Sequence, residues 1–92
     1  MPNSDSISSS SIPSTVPLDS LKPGDLAVVK ELRLPKDQAL RFLEMGFFPG
    51  EEVRLIRRSP LGDPLEVEVM GIRLGIRQAD ALAIQVQPTV VR

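Results

Sequence analysis

The stretch LEVEVMGIRLGIR, residues 65–77, alternates apolar and polar side chains on both sides of Gly71. Alternation with a period of two is typical of strands that bury one face, because successive side chains point to opposite sides of a sheet. A glycine between two such runs indicates a β-hairpin. This hairpin predicts an antiparallel, mainly β fold.

Two registers of the hairpin keep one face apolar and the other charge-matched. A Met70-Gly71 loop pairs Val69 with Ile72, whereas a Gly71-Ile72 loop pairs Val69 with Leu74. The second register is favoured, because Gly71 then takes the first central position of a type II′ turn.

Three further apolar runs, residues 26–32, 53–58 and 82–87, predict additional strands. One α-helix is predicted over about residues 36–46, which combine strong helix formers with apolar residues at helical spacing. About five short antiparallel strands with one helix inserted after the first suggest a strongly bent sheet that curls on itself to remove its edges. The predicted architecture is a small SH3-like barrel.

The end of the predicted helix is specified by its own sequence. Gly46 suits the left-handed position just past a helix end, and Phe47 would fold back on Phe42 as the apolar contact of a Schellman motif. Pro49-Gly50 then predicts a type II turn. Two adjacent aromatic residues cannot easily both face a core, which leaves two alternatives: one of Phe47 and Phe48 lies at the surface as a docking anchor, or both pack into the core around the bend.

The chain divides into three segments. Residues 1–17 are rich in serine and proline and predict a disordered arm, residues 18–88 the folded domain, and residues 89–92 a short tail. No stretch approaches the roughly 20 apolar residues that cross a bilayer, and the N-terminus lacks the features of a signal peptide. We therefore expect a cytoplasmic protein with no direct membrane insertion.

Composition excludes most catalytic chemistry. The chain has 92 residues, 11 basic and 12 acidic, and no His, Cys, Trp or Tyr. Imidazole and thiol nucleophiles, bases and soft-metal ligands are absent, and no glycine-rich phosphate-binding loop is present. The sequence predicts neither an enzyme nor a cofactor or metal site.

The charged residues have structural interpretations. Glu66 and Glu68 share a strand face and could bind a hard cation, but a solvated ladder with cross-strand arginines is favoured. Asp63 lies in a Gly-Asp-Pro turn where its side chain suits backbone capping. Arginines at 54, 57 and 58, or at 73 and 77, could contact RNA, although aromatic stacking residues are few. Binding of nucleic acid is not expected.

The order of these motifs resembles the FeoA family of ferrous iron transport accessory proteins. The family pattern R-L-x-x-[LM]-G-[LF]-x-P-G is met by Arg41-Phe42-Leu43-Glu44-Met45-Gly46-Phe47-Phe48-Pro49-Gly50, with Phe42 as a conservative departure. Further matches are Leu21-Pro23-Gly24, Pro60-Leu61-Gly62-Asp63-Pro64, and Gly71 with Leu74, Arg77 and Ala81. The resemblance implies an SH3-like barrel that works in the cytoplasm with FeoB, the membrane ferrous iron transporter that carries a GTP-binding domain.

The resulting prediction is a module that binds FeoB and modulates it. The residues expected to form the partner surface lie at the helix end and in the following turn: Arg41, Met45, Gly46, Phe47, Phe48, Pro49 and Gly50. One alternative is a metal-responsive module like the C-terminal domains of iron-dependent repressors, and another is a small RNA-binding barrel. Weak self-association through an unpaired strand edge is left open.

Overall fold

The computed structural model describes residues 15–89, which form one six-stranded antiparallel sheet with two short α-helices and a 3-10 turn. The strands are β1 Val16–Pro17, β2 Leu26–Leu32, β3 Glu52–Arg58, β4 Leu65–Val69, β5 Ile72–Ile76 and β6 Ile84–Pro88. The helices are α1 Lys36–Glu44 and α2 Gln78–Ala83, and the 3-10 turn is Leu18–Ser20. The strand order is β1-β6-β2-β3-β4-β5. The predicted mainly β, antiparallel fold with a helix inserted after the first long strand is confirmed.

The core is enclosed by the sheet itself. Alternate residues of the strands are fully buried, including Val29, Val53, Val67 and Val86, each with 0% of its surface exposed. Because a single sheet supplies most of this core, it must curl around its own apolar face. The pairing register shifts within β2–β6 and again within β3–β4, and such bulges bend a strand locally.

The sheet has one more strand than the five expected. Val16 and Pro17, which the sequence analysis assigned to the arm, pair with β6, with Val16 opposite Val86. Leu18, which follows them, is completely buried. At the other end, the amide of Thr89 donates to the carbonyl of Leu26 at 2.8 Å. The rest of the predicted arm, residues 1–14, and of the tail, residues 90–92, lie outside the described residues.

The favoured hairpin register is wrong, and the other one is observed. Val69 pairs with Ile72 around a Met70-Gly71 loop. Met70 has φ 52° and Gly71 has φ 78°, and two positive φ values define a type I′ turn. In the observed register the buried side chain of Leu65 lies opposite Ile76, which is 2% exposed. A shift by one residue per strand would have left Leu65 opposite a glutamine, so burial outweighed the turn preference.

The helices differ from the expected bounds by a few residues. The predicted helix 36–46 ends at Glu44, because Met45 is its C-cap and Gly46 has φ 109°. Besides the one predicted helix, Gln78–Ala83 form a second short helix, α2. Asp63 accepts a hydrogen bond from the first amide of α2, that of Gln78, at 3.0 Å, which confirms its predicted capping role. Within residues 15–89, neither helix has the length and apolar composition needed to cross a bilayer.

Candidate docking surface

The C-terminal end of α1 has the predicted Schellman geometry. The amide of Gly46 donates to the carbonyl of Leu43 at 3.0 Å, and the amide of Phe47 donates to the carbonyl of Phe42 at 3.0 Å. These two bonds satisfy carbonyls that the last helical turn leaves open. The chain therefore leaves the helix along a defined path.

The two neighbouring phenylalanines point in opposite directions, which is one of the two alternatives left open by the sequence. Phe47 is 0% exposed, and its ring meets that of Phe42 edge-on with centroids 5.4 Å apart. Phe48 keeps 48% of its surface exposed. Phe47 was predicted to contact a partner, but it lies in the core and has no surface to offer. Its role is to position the bend that carries Phe48.

The bend after α1 is held by a hydrogen bond within the turn and by two hydrogen bonds to β2. Gly50 has φ 101°, and the amide of Glu51 donates to the carbonyl of Phe48 at 2.9 Å, as a type II turn requires. The backbone of Val29 in β2 accepts from the amide of Gly50 at 2.7 Å and donates to the carbonyl of Glu51 at 2.8 Å. The exposed ring of Phe48 is thus presented on a backbone tied to the middle of the sheet.

A residue that the sequence analysis did not select, Met70, lies against the same bend. A Cβ atom added to Gly46 would stand 3.1 Å from the Met70 sulfur, so the hairpin tip packs directly on the helix end. The Met70 side chain remains 58% exposed. The sequence signal for Met70 was an apolar residue at a hairpin tip, where Asn or Asp is usual. The wrong register placed Met70 outside the turn, so this signal was missed.

We call the resulting patch the helix-end surface. It consists of the side chains of Arg41, Met45, Phe48, Pro49 and Met70 and the backbone of Gly50, whereas Gly46, also predicted to contact a partner, is buried against Met70. Arg41 and Met45 are four residues apart on α1 and therefore share one helix face. This face lines a groove of about 280 Å³ beside the end of β5. The predicted site residues thus lie in two adjacent regions, the groove beside β5 and the bend after α1. Met45 lies where the two regions meet.

Of the two acidic residues considered for a cation, Glu66 is paired with an arginine and Glu68 has arginines as its cross-strand neighbours. Glu66 forms an ion pair with Arg57 at 3.0 Å, and Glu68 lies between Arg54 on β3 and Arg73 on β5 in the pairing register. This arrangement is the cross-strand charge ladder that the sequence favoured. Among residues 15–89, no cluster of three metal-ligating acidic side chains is found.

Arg58 faces inward rather than towards a ligand. Its guanidinium donates to a carboxylate oxygen of Asp19 at 3.0 Å, to the carbonyl of Asp19, and to the carbonyl of Leu21 at 2.9 Å. Asp19 also accepts from the side chain of Gln78 at 3.5 Å. Arg58 therefore joins the end of β3 to the 3-10 turn, and sequence reasoning gave no indication of this role.

Known proteins are similar to this chain in sequence and in fold. The family model described as the FeoA domain matches residues 16–88. A curated relative from Porphyromonas gingivalis, an Fe(2+) transport protein A/Fe(2+) transporter FeoB fusion protein, is 33% identical over 70 residues, which make up 76% of this chain. The chain spans 8% of the length of that relative.

Solved structures agree with the family match. The solution structure of a FeoA protein from Chlorobium tepidum is 32% identical with a TM-score of 0.78, over 82% of this chain and 71% of that one. A FeoA from Stenotrophomonas maltophilia, complexed with zinc and described as a procaryotic SH3 domain protein, is 34% identical with a TM-score of 0.66, over 78% and 89%.

The same fold occurs within a larger protein. IdeR of T. acidophilum is 28% identical with a TM-score of 0.71, over 82% of this chain and 34% of that one. The SH3-like fold predicted from the sequence is confirmed by these neighbours. With the FeoA model covering β1 through β6, the chain belongs to the FeoA family.

Proposed function

We propose that this protein is a cytoplasmic accessory component of ferrous iron uptake that binds a FeoB-like transporter and modulates its GTP-binding domain. The family assignment supports a role in ferrous iron transport. The relative in which a protein A part is fused to FeoB supports association, because fusion keeps two interacting modules at a high effective concentration.

One observation carries the proposal: a half-exposed Phe48 on a backbone that is held by the sheet. Interfaces take most of their binding energy from a few aromatic or arginine anchors that become buried. An anchor that is already ordered loses little conformational freedom on binding. Met70, beside the bend, extends the apolar area that a partner would cover.

The proposed role is binding and not catalysis. The acidic side chains that were candidates for a functional site already have structural roles, since Glu66 pairs with Arg57 and Asp63 caps α2. The helix-end surface combines apolar side chains with one arginine, which suits recognition of a protein surface.

The proposal is tested by titrating the full chain against the cytoplasmic part of the candidate transporter, with and without guanine nucleotide. Phe48→Ala should weaken binding about tenfold or more, the loss expected for an anchor worth about 2 kcal/mol. Unchanged affinity would exclude Phe48 as an anchor, and failure of the unmodified chain to bind in either nucleotide state would exclude the proposed partner.

Leu61→Ala is the matched control. Leu61 is 94% exposed in the loop before β4, whereas Met70 follows that strand. The two ends of β4, Leu65 and Val69, are about 13 Å apart in an extended strand. This control removes exposed apolar surface at the far end of the domain and should leave the affinity unchanged.

A second candidate is a metal-responsive regulatory module, favoured by the similarity to IdeR. It predicts that contacts with a protein segment strengthen when Fe²⁺ or Mn²⁺ is added and weaken with a chelator. The same titration, repeated with metal and with chelator in the absence of nucleotide, separates the two candidates. An RNA-binding role is less well supported, because Arg58 is used inside the domain and Arg57 is paired with Glu66.

A further inference from the structure

A groove runs between α1 and the end of β5, the outermost strand on one side of the sheet. Its volume is about 280 Å³, slightly below the roughly 300–1,000 Å³ of small-molecule pockets, so it suits one or two side chains of a peptide. The residues that line it through their side chains include Gln38, Arg41, Phe42, Met45, Ile76 and Arg77.

The backbone of β5 presents hydrogen-bonding groups towards this side. In a two-residue hairpin the closing pair, here Val69 and Ile72, exchanges backbone hydrogen bonds, and the bonded pairs then alternate along the ladder. Arg73 and Gly75 therefore occupy the positions whose N–H and C=O groups point away from β4. Within residues 15–89, β5 pairs with β4 alone, so these groups lie on an open edge.

Gly75 lies on that edge. It is exposed, and a Cβ added to it would find its nearest neighbour, the Cγ atom of Pro64, at 4.0 Å. A glycine in a strand is often found where another backbone approaches closely. The backbone of β5 is therefore uncovered at this position.

The charges around the groove favour an anionic occupant. Arg41 and Arg77 are exposed, and within the described part of the chain neither has a carboxylate oxygen within 4.0 Å. One carboxylate, that of Asp80, also lines the groove. Two arginines against one aspartate leave a local positive charge in a protein whose formal net charge is −1.

We propose that an extended acidic segment of a partner protein binds here by adding to β5 as a further strand. Backbone hydrogen bonds to Arg73 and Gly75 give the register, and alternate side chains of the segment face the groove. Its carboxylates pair with Arg41 and Arg77. This mode of binding does not depend on which protein supplies the segment, although Arg41 also belongs to the helix-end surface.

The backbone part of the proposal is tested with a fluorescein-labelled peptide of alternating glutamate and valine, titrated by anisotropy against the full chain. Gly75→Pro removes the outward N–H, and an edge strand tolerates proline where its N–H faces solvent. We expect about tenfold or more weaker binding, from a lost hydrogen bond and an unpaired acceptor on the peptide. Gly75→Ala keeps the N–H and should bind like the unmodified chain. Equal binding by the Pro and Ala variants would overturn strand addition.

A measurement on the unmodified chain covers the case in which Gly75→Pro does not fold. Saturating peptide should slow hydrogen exchange of the Arg73 and Gly75 amides, because these groups become hydrogen-bonded to the added strand. Peptide binding that leaves both amides exchanging at their original rates would contradict the proposal.

The charge part is tested on both partners. Replacing glutamate by glutamine in the peptide, or introducing Arg41→Gln together with Arg77→Gln, should each weaken binding about tenfold or more, as for lost charge-assisted hydrogen bonds. A glutamine peptide that binds equally well would refute recognition of acidic side chains. Displacement of the bound peptide by oligouridylate at a similar concentration would instead identify the groove as a nucleic-acid site and overturn the proposal.

Discussion

The ring of Phe47 meets the ring of Phe42 at an interplanar angle of 81°, with centroids 5.4 Å apart. Phe42 is the one residue of α1 that is buried. The helix is therefore attached to the barrel through this aromatic pair, and the bend that carries Phe48 begins at the same contact. The stability of the domain and the geometry of the proposed docking surface depend on one arrangement.

Truncation of the two neighbouring phenylalanines should have very different effects on stability. Phe47→Ala opens a cavity in the core and should lower the free energy of unfolding by about 3 to 5 kcal/mol. Phe48→Ala removes a half-exposed ring and should lower it by less than about 1 kcal/mol. Urea denaturation measures both. Similar losses for the two variants would contradict the opposite placement of the rings.

Gly46→Ala tests the contact between the helix end and the hairpin tip. It should cost about 1 to 2 kcal/mol for the positive φ of 109°, and more because the new methyl group would stand 3.1 Å from the Met70 sulfur. Gly24→Ala is the control, since Gly24 has φ 93° and no atom within 4 Å of an added Cβ. When each glycine variant is combined with Met70→Ala, Gly46→Ala and Gly24→Ala should lower the free energy of unfolding by similar amounts. Urea denaturation measures these losses.

Arg58→Ala should be more damaging than the same change at the preceding residue. Arg58 is 29% exposed and donates to the carbonyl of Leu21 as well as to Asp19, so its loss leaves several acceptors unpaired and should cost about 1 to 3 kcal/mol. Arg57, with its side chain 70% exposed and paired with Glu66, should contribute at most about 0.5 kcal/mol. Thermal and urea unfolding of both variants give the ranking, and the reverse order would refute the inward role of Arg58.

The cap on α2 can be tested with a conservative pair of substitutions. Asp63→Ala removes the acceptor for the Gln78 amide and should lower stability by about 0.5 to 2 kcal/mol. Asp63→Asn keeps an acceptor oxygen and should retain most of that stability. If the two variants unfolded at the same urea concentration, the hydrogen bond from Gln78 would not contribute.

Met70→Asn should separate stability from docking. Asn adopts positive φ more readily than Met, so the type I′ turn should gain up to about 1 kcal/mol. The substitution also removes a 58% exposed apolar side chain from the helix-end surface and should weaken transporter binding. Calorimetry and the transporter titration report the two effects independently. A more stable variant with full affinity would remove Met70 from the docking surface.

Local signals in the sequence were enough for much of the fold. Period-two alternation in β3, β4 and β5 predicted strands because each buries one face, and the helix stop at Gly46 was readable because a Schellman end needs a residue with positive φ. The same local geometry indicated that the two adjacent phenylalanines cannot easily both face the core. Which of the two it is did not follow.

Features that depend on distant residues were not accessible in this way. The pairing of Val16 with Val86 joins segments 70 residues apart, and its two-residue strand has no periodicity to detect. The hairpin register depended on placing Leu65 opposite Ile76. The turn preference at Gly71 carries no information about that pairing.

By itself, the sequence determined the class of fold, the helix end and the absence of imidazole and thiol chemistry, since these depend on residue types and on neighbours along the chain. Only the tertiary structure decided that Phe47 is buried, that Met70 packs on Gly46, and that Arg41 and Arg77 line one groove. Curling of the sheet brings these residues together, and burial of the whole apolar face selects that arrangement over locally better turns.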